Sequence, residues 1–124
     1  MVDRALVAIV RRYLAVLKEF DIPAAYAIVY GSYARGDQRP ESDIDLLIVS
    51  DAFADDWPKW NQLLWEATIR ADHRIEPMPV DENDLYADEI ISIPIEMAKR
   101  EGIVIYPDER PPVRFNDMPR AANQ

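Results

Sequence analysis

Between Leu6 and Phe20, apolar side chains recur every three or four positions: Leu6, Ile9, Val10, Tyr13, Leu14, Leu17 and Phe20. That spacing places them on one face of an α-helix covering residues 3–20. Asp3 is suited to cap its start, because a short acidic side chain can accept from the unpaired N–H groups of a first turn. Asp21-Ile22-Pro23 ends it. Residues 24–30 (Ala-Ala-Tyr-Ala-Ile-Val-Tyr) form a short unbroken apolar run, which predicts a buried strand. Gly31 to Gly36 reads as a brief helical turn with glycine at both ends. Asp37 to Ser42 is a polar loop. Residues 43–49 then predict a second strand, apolar in its second half.

The second half of the chain continues the alternation. An acidic turn covers 51–56. Pro58 suits the first turn of a helix running to about Ala71, with Trp57 or Trp60, Leu64 and Ile69 packed inward. A third strand covers roughly 74–80. Asp81 is placed to cap a helix start at Glu82-Asn83-Asp84. Residues 93–101 predict a further helix, stopped by Gly102 as a C′ glycine. Ile103 to Tyr106 is a last short strand. Interleaved strands and helices argue for an α/β (α+β) fold, a mixed β-sheet flanked by helices. Residues 1–106 would form the domain. Residues 107–124, with four prolines and few core candidates, read as an extended, disordered or partner-draped tail.

Composition narrows the function classes. The chain has 124 residues, 49% of them apolar, enough for one real core. No apolar run is long enough to span a membrane, and the N-terminal residues lack the pattern of a secretory signal. There is no cysteine, which excludes disulfides and thiolate metal sites. A cytoplasmic location is the expectation. Fourteen basic residues stand against 23 acidic ones, a formal charge of −9. Free nucleic acid would call for a basic face, so a basic protein partner or a metal–nucleotide complex suits the chain better.

The chemistry concentrates in Gly31-Ser32-Tyr33-Ala34-Arg35-Gly36 and in Ser42-Asp43-Ile44-Asp45. Gly31 and Ser32 open a helical turn at a strand end, where unpaired N–H groups favour an anion and no side chain at Gly31 blocks a phosphate. Asp43 and Asp45 are two apart, so on a strand they share a face. Two such carboxylates repel unless a cation intervenes. Their hard oxygens suit Mg²⁺. An antiparallel return would set them beside the end of the first strand. A parallel crossover would bring Glu76, near the start of the third strand, to the same edge. There Glu76 could hold metal and accept a proton. Asp72 is its competitor, and an ion pair with Arg74 is its ordinary alternative. Pro77 and Pro79 point to an edge strand or a bulge. Arg35 could touch phosphates or brace Asp43 or Asp37. Tyr33 reads as packing, His73 as a bystander, and Trp57, Trp60 and Trp65 as core or partner-facing.

Gly-Ser-x-Ala-Arg-Gly followed by Ser-Asp-Ile-Asp-Leu-Leu-Ile-Val resembles the signature of the DNA polymerase β-like nucleotidyltransferases. Arg-Ile-Glu-Pro and the closing Glu-Gly-Ile-Val-Ile-Tyr resemble their minimal, stand-alone members. The resemblance implies transfer of a nucleoside monophosphate from an NTP, with ATP the expected donor, to a hydroxyl. It implies Asp43, Asp45 and Glu76 as the catalytic and metal-holding carboxylates for two Mg²⁺ ions. Gly31, Ser32 and Arg35 become the nucleotide-binding candidates. Minimal members are often paired with a small helical partner of the HEPN ribonuclease-toxin type, and act as antitoxins that attach AMP to it. With no second domain expected after Tyr106, the acceptor would bind a homodimer interface or another protein. Transfer to a small-molecule hydroxyl and a non-catalytic binding subunit are the alternatives.

Overall fold

A computed structural model describes residues 2–119, so the last five residues of the predicted tail lie outside the described residues. Helix α1 (Arg4–Glu19) is capped by Asp3, whose side chain accepts from the Ala5 N–H. Strand β1 (Tyr26–Tyr30) follows, then the single-turn helix α2 (Ser32–Arg35) and strand β2 (Ile44–Val49). A 3₁₀ turn (Asp51–Ala54) leads to helix α3 (Trp57–Thr68) and strand β3 (Ile75–Val80). Helices α4 (Glu82–Leu85) and α5 (Ile93–Glu101) precede strands β4 (Ile103–Ile105) and β5 (Val113–Arg114).

The strands form one mixed sheet in the order β3-β2-β1-β4-β5. β1 is antiparallel to both β2 and β4, and β2 is parallel to β3. The antiparallel return and the parallel crossover expected from the loop lengths are both present. β3 lies at one edge, where Pro77 and Pro79 remove N–H donors that a central strand would need.

Alternation along the strands divides the core in two. Ala27, Val29, Ile44, Leu46 and Ile48 face α1 and α3. Tyr26, Ile28, Tyr30, Leu47 and Val49 face α4 and α5. The Tyr13 hydroxyl donates to the Leu64 carbonyl at 2.7 Å, tying α1 to α3. A buried hydroxyl needs such a partner, since leaving it unpaired costs about 1–3 kcal/mol.

Three sequence readings change. Ile69 is 85% exposed: α3 ends at Thr68, and Ile69 sits beyond the inward stripe of Trp60, Leu64, Ala67 and Thr68. Phe20 is likewise exposed at the end of α1, with the Arg70 guanidinium 5.6 Å from its ring. The described part of the tail also packs on its own sheet. Val113–Arg114 pairs with β4, Met118 is buried, and Phe115 stacks on Tyr86 at 5.7 Å.

Gly102 ends α5, but not in the left-handed conformation of a C′ glycine. Its backbone is extended (φ −69°, ψ 151°). The requirement for glycine is space: a Cβ there would collide with the Ala98 carbonyl and come within 2.5 Å of the Ile28 side chain. Both neighbours are fully buried. Gly102→Ala should therefore destabilise the fold by about 1–3 kcal/mol through overpacking. Urea unfolding would show a lower midpoint at unchanged slope, and an unshifted midpoint would contradict this packing.

Candidate active site

Register brings the carboxylates together. Across β1 and β2, Tyr30 lies opposite Asp45; across β2 and β3, Asp45 lies opposite Glu76. Asp43 immediately precedes β2, one pleat period before Asp45. All three belong to the sheet edge where β1 ends and β2 and β3 begin, on the side that packs against α5. Asp43 is exposed, while Asp45 and Glu76 are half-buried.

The electrostatics show the crowding. The Glu76 carboxyl is pushed up to about 7, first by a hydrogen bond with Asp43, then by burial and by the charges of Asp43 and Asp45. Burial and the Asp43 charge also raise Asp45, against a lowering contribution from Arg35. Three hard-oxygen carboxyls on one sheet edge have the donor chemistry of a Mg²⁺ site. Among the described residues, however, no group of three or more such side chains is arranged to hold an ion as it stands. The donor set therefore fits a hard cation by chemistry, and strand register already sets Asp45 opposite Glu76.

The competitor for Glu76 is committed elsewhere. Asp72 takes a two-pronged bond from Arg74, at 3.0 and 2.8 Å, which holds its carboxyl below the usual range. Arg74 also donates to the Tyr33 hydroxyl, and the Tyr33 ring packs against the α1/α3 core. Glu76 is thus free of Arg74 and lies opposite Asp45 in the strand register.

Gly31 joins the phosphate-cradle candidates to these carboxylates. Its φ of +80° and ψ of −151° belong to a region that L side chains avoid. A Cβ there would lie 2.5 Å from Asp45 Oδ2. The Gly31 backbone therefore lies directly over the Asp45 carboxylate. Ser32 opens α2 beside it.

Two residues in this site were not foreseen. Glu101, the last residue of α5, accepts from the Gly31 N–H at 2.6 Å and from Arg35 Nη1 at 3.1 Å. A carboxylate thus lies on the N–H group assigned to a phosphate. Arg35 braces Asp37 and Glu101 rather than Asp43. Glu101 opens the Glu-Gly-Ile-Val-Ile-Tyr stretch, but nothing local assigns it a role at this site, because its position depends on β4 pairing with β1 some seventy residues away. The other is Tyr30, whose buried hydroxyl is pushed up to about 12 by burial and by the charges of Asp45 and Glu76. Strand parity carried that signal, since Tyr30 ends β1 on the Asp45 face.

A family model for the nucleotidyltransferase domain matches residues 10–118. The chain belongs to that family. Its activity class is nucleotidyl transfer. Among solved structures, a Sulfolobus solfataricus protein assigned as a nucleotidyltransferase superposes with a TM-score of 0.51 at 18% identity, covering 63% of this chain and 68% of that one. A toxin–antitoxin structure with AMP-PNP superposes with a TM-score of 0.48 at 19% identity, covering 80% and 74%. No curated protein sequence matches the chain at significance. The first likeness agrees with the mixed sheet described above. No helix among the described residues is long and apolar enough to cross a membrane.

For this nucleotidyltransferase the crowding has a consequence for stability. Glu76 ionises near 4.5 unperturbed and near 7 in the folded chain. The folded state therefore holds the proton more tightly, so the Glu76 contribution is fully present below about 4.5 and is lost as pH rises through about 7. In metal-free buffer the urea midpoint should fall across that window, and Glu76→Gln should flatten the fall. An equally steep profile in the variant would disprove the assignment.

Proposed function

We propose that the chain transfers a nucleoside monophosphate from an NTP, ATP being the expected donor, to a hydroxyl on a partner protein. The observation that carries this reading is the alignment of Asp45 with Glu76 across adjacent parallel strands, with Asp43 one pleat period before Asp45 and Gly31 lying over Asp45. One sheet edge then offers both a backbone donor for phosphate and a cluster of carboxylates, as phosphoryl transfer requires of a protein that chiefly positions and stabilises charge.

Asp43, Asp45 and Glu76 would hold Mg²⁺, which supplies neutralisation of the charge on the transferring phosphoryl group. Gly31, Ser32 and Arg35 would hold the triphosphate. For that to happen, Glu101 must release the Gly31 N–H. The acceptor oxygen forms a bond to the α-phosphorus, the bond from that phosphorus to the bridging oxygen breaks, and pyrophosphate leaves. The hydroxyl proton passes to Glu76, which lies opposite Asp45 across β2 and β3.

A helical HEPN-type toxin as the acceptor, with this chain as its antitoxin, is the partner expected from the motif resemblance. A small-molecule hydroxyl is the second reading, favoured by nothing specific in the site.

Asp43→Asn or Asp45→Asn should lower transfer by about 100-fold or more, since even outer-shell changes at metal sites cost 10–100-fold. Far-UV circular dichroism should show the fold intact, because each change removes a repelling charge. Wild-type transfer by either variant would remove it from the site. Glu76→Gln should lower kcat by about 100-fold with a smaller effect on nucleotide affinity. Loss of activity in Asp72→Asn, with Glu76→Gln unaffected, would move the role to Asp72.

The acceptor is tested by capture from the native host and mass spectrometry of the captured protein. A gain equal to a nucleoside monophosphate is expected with the parent chain and not with Asp45→Asn. Efficient transfer to a small molecule by the pure chain would replace the protein-acceptor reading.

A further inference from the structure

A groove of about 1090 Å³ opens next to the candidate site, between the start of α1, the end of α5 and strand β5. Five arginines line it: Arg4, Arg11, Arg35, Arg100 and Arg114. One acidic residue, Glu101, lines it with them, and its charge is already answered by Arg35 and the Gly31 N–H. Among the described residues no carboxylate pairs with Arg4, Arg100 or Arg114. Arg11 donates to the carbonyls of Tyr106 and Arg110, which fixes its guanidinium, and its charge is felt by the Asp108 carboxylate. A chain carrying −9 therefore gathers five arginines along one groove, three of them, Arg4, Arg100 and Arg114, without a carboxylate partner among the described residues.

The groove reaches the candidate chemistry. Arg35 and Glu101 line its inner end, Glu101 bonds Gly31, and Gly31 lies over Asp45. Its remaining lining is aliphatic, from residues such as Val7, Ala34, Ile103 and Val113. No Phe, Tyr or Trp belongs to it. Nucleobases bind best on aromatic platforms, and the net charge of the chain opposes a long polyanion. Cations above an aliphatic floor suit an extended peptide with acidic side chains and short apolar ones. Arginine forks match carboxylates in particular.

We infer that this groove docks an acidic, extended segment of the acceptor protein and leads its hydroxyl toward Asp45 and Glu76. The inference rests on the reading of a protein acceptor. It also revises the expectation from net charge: the docking partner is acidic where it meets this groove, because local charge decides a contact and total charge does not.

The test needs no turnover. Fluorescence anisotropy is measured without nucleotide, using labelled Glu-Glu-Tyr-Glu-Glu, its lysine counterpart and a single-stranded oligonucleotide. The acidic peptide should bind, more weakly as salt rises, and the lysine peptide should not. Arg4→Glu combined with Arg114→Glu should weaken acidic-peptide binding by about tenfold or more. Arg4→Glu is compatible with folding, since an acid favours the first turn of a helix, and thermal melting checks both variants. Arg70→Glu combined with Lys59→Glu changes the charge equally but lies outside the groove and should bind as the parent does. Equal binding of both peptides, preference for the oligonucleotide, or parental affinity in a folded double variant would each overturn the groove. If the acidic peptide binds but no protein acceptor is ever modified, the transfer reading fails and the groove stands.

Discussion

The structure turns on the mutual repulsion of Asp43, Asp45 and Glu76. Strand pairing forces these carboxylates to one sheet edge, and the fold cannot separate them without breaking β2 from β1 or β3. The raised position of Glu76 is the physical trace of that constraint. In water such groups would drift apart or stay fully hydrated. On adjacent strands they are held at one edge instead, with Asp45 opposite Glu76. A site held in this condition has a standing affinity for positive charge, which suits nucleotidyl transfer.

Around the carboxylates, each neighbour limits the charge or the space. Gly31 brings backbone against Asp45 where any Cβ would intrude. Arg74 binds Asp72 and keeps it out of the cluster. Arg35 and Glu101 form an ion pair at the entrance, and Glu101 also takes the backbone donor of Gly31. The Gly31 N–H is therefore satisfied internally, as a buried N–H group must be.

Charge is distributed unevenly over the molecule. Acidic residues dominate the chain, yet the groove formed by α1, α5 and β5 is lined with arginine. These arginines come from four separate elements, α1, α2, α5 and β5. Their convergence follows from β4 pairing with β1 and from β5 adding beyond it.

Much of the molecule was readable in the sequence because the relevant rules are short-ranged. Helical spacing gave α1, Asp3 gave its cap, and the apolar runs gave β1 and β2. Strand parity put Asp43 and Asp45 on one face, and Pro77 and Pro79 placed β3 at an edge. What the sequence left open depends on pairings distant along the chain. Ile69 and Phe20 lie exposed because the helices end where tertiary packing stops rewarding them. Val113 and Met118 belong to the core because β4 offers an edge that no local pattern reveals. Gly102 is needed for its lack of bulk against Ile28, a neighbour in another strand. Glu101 reaches Gly31 for the same reason. Sequence by itself determined which residues could carry charge, fold into a strand or cap a helix, since these depend on the residue and its near neighbours. Tertiary structure alone decided which charges meet, because that is fixed by the register of strands joined through long connections.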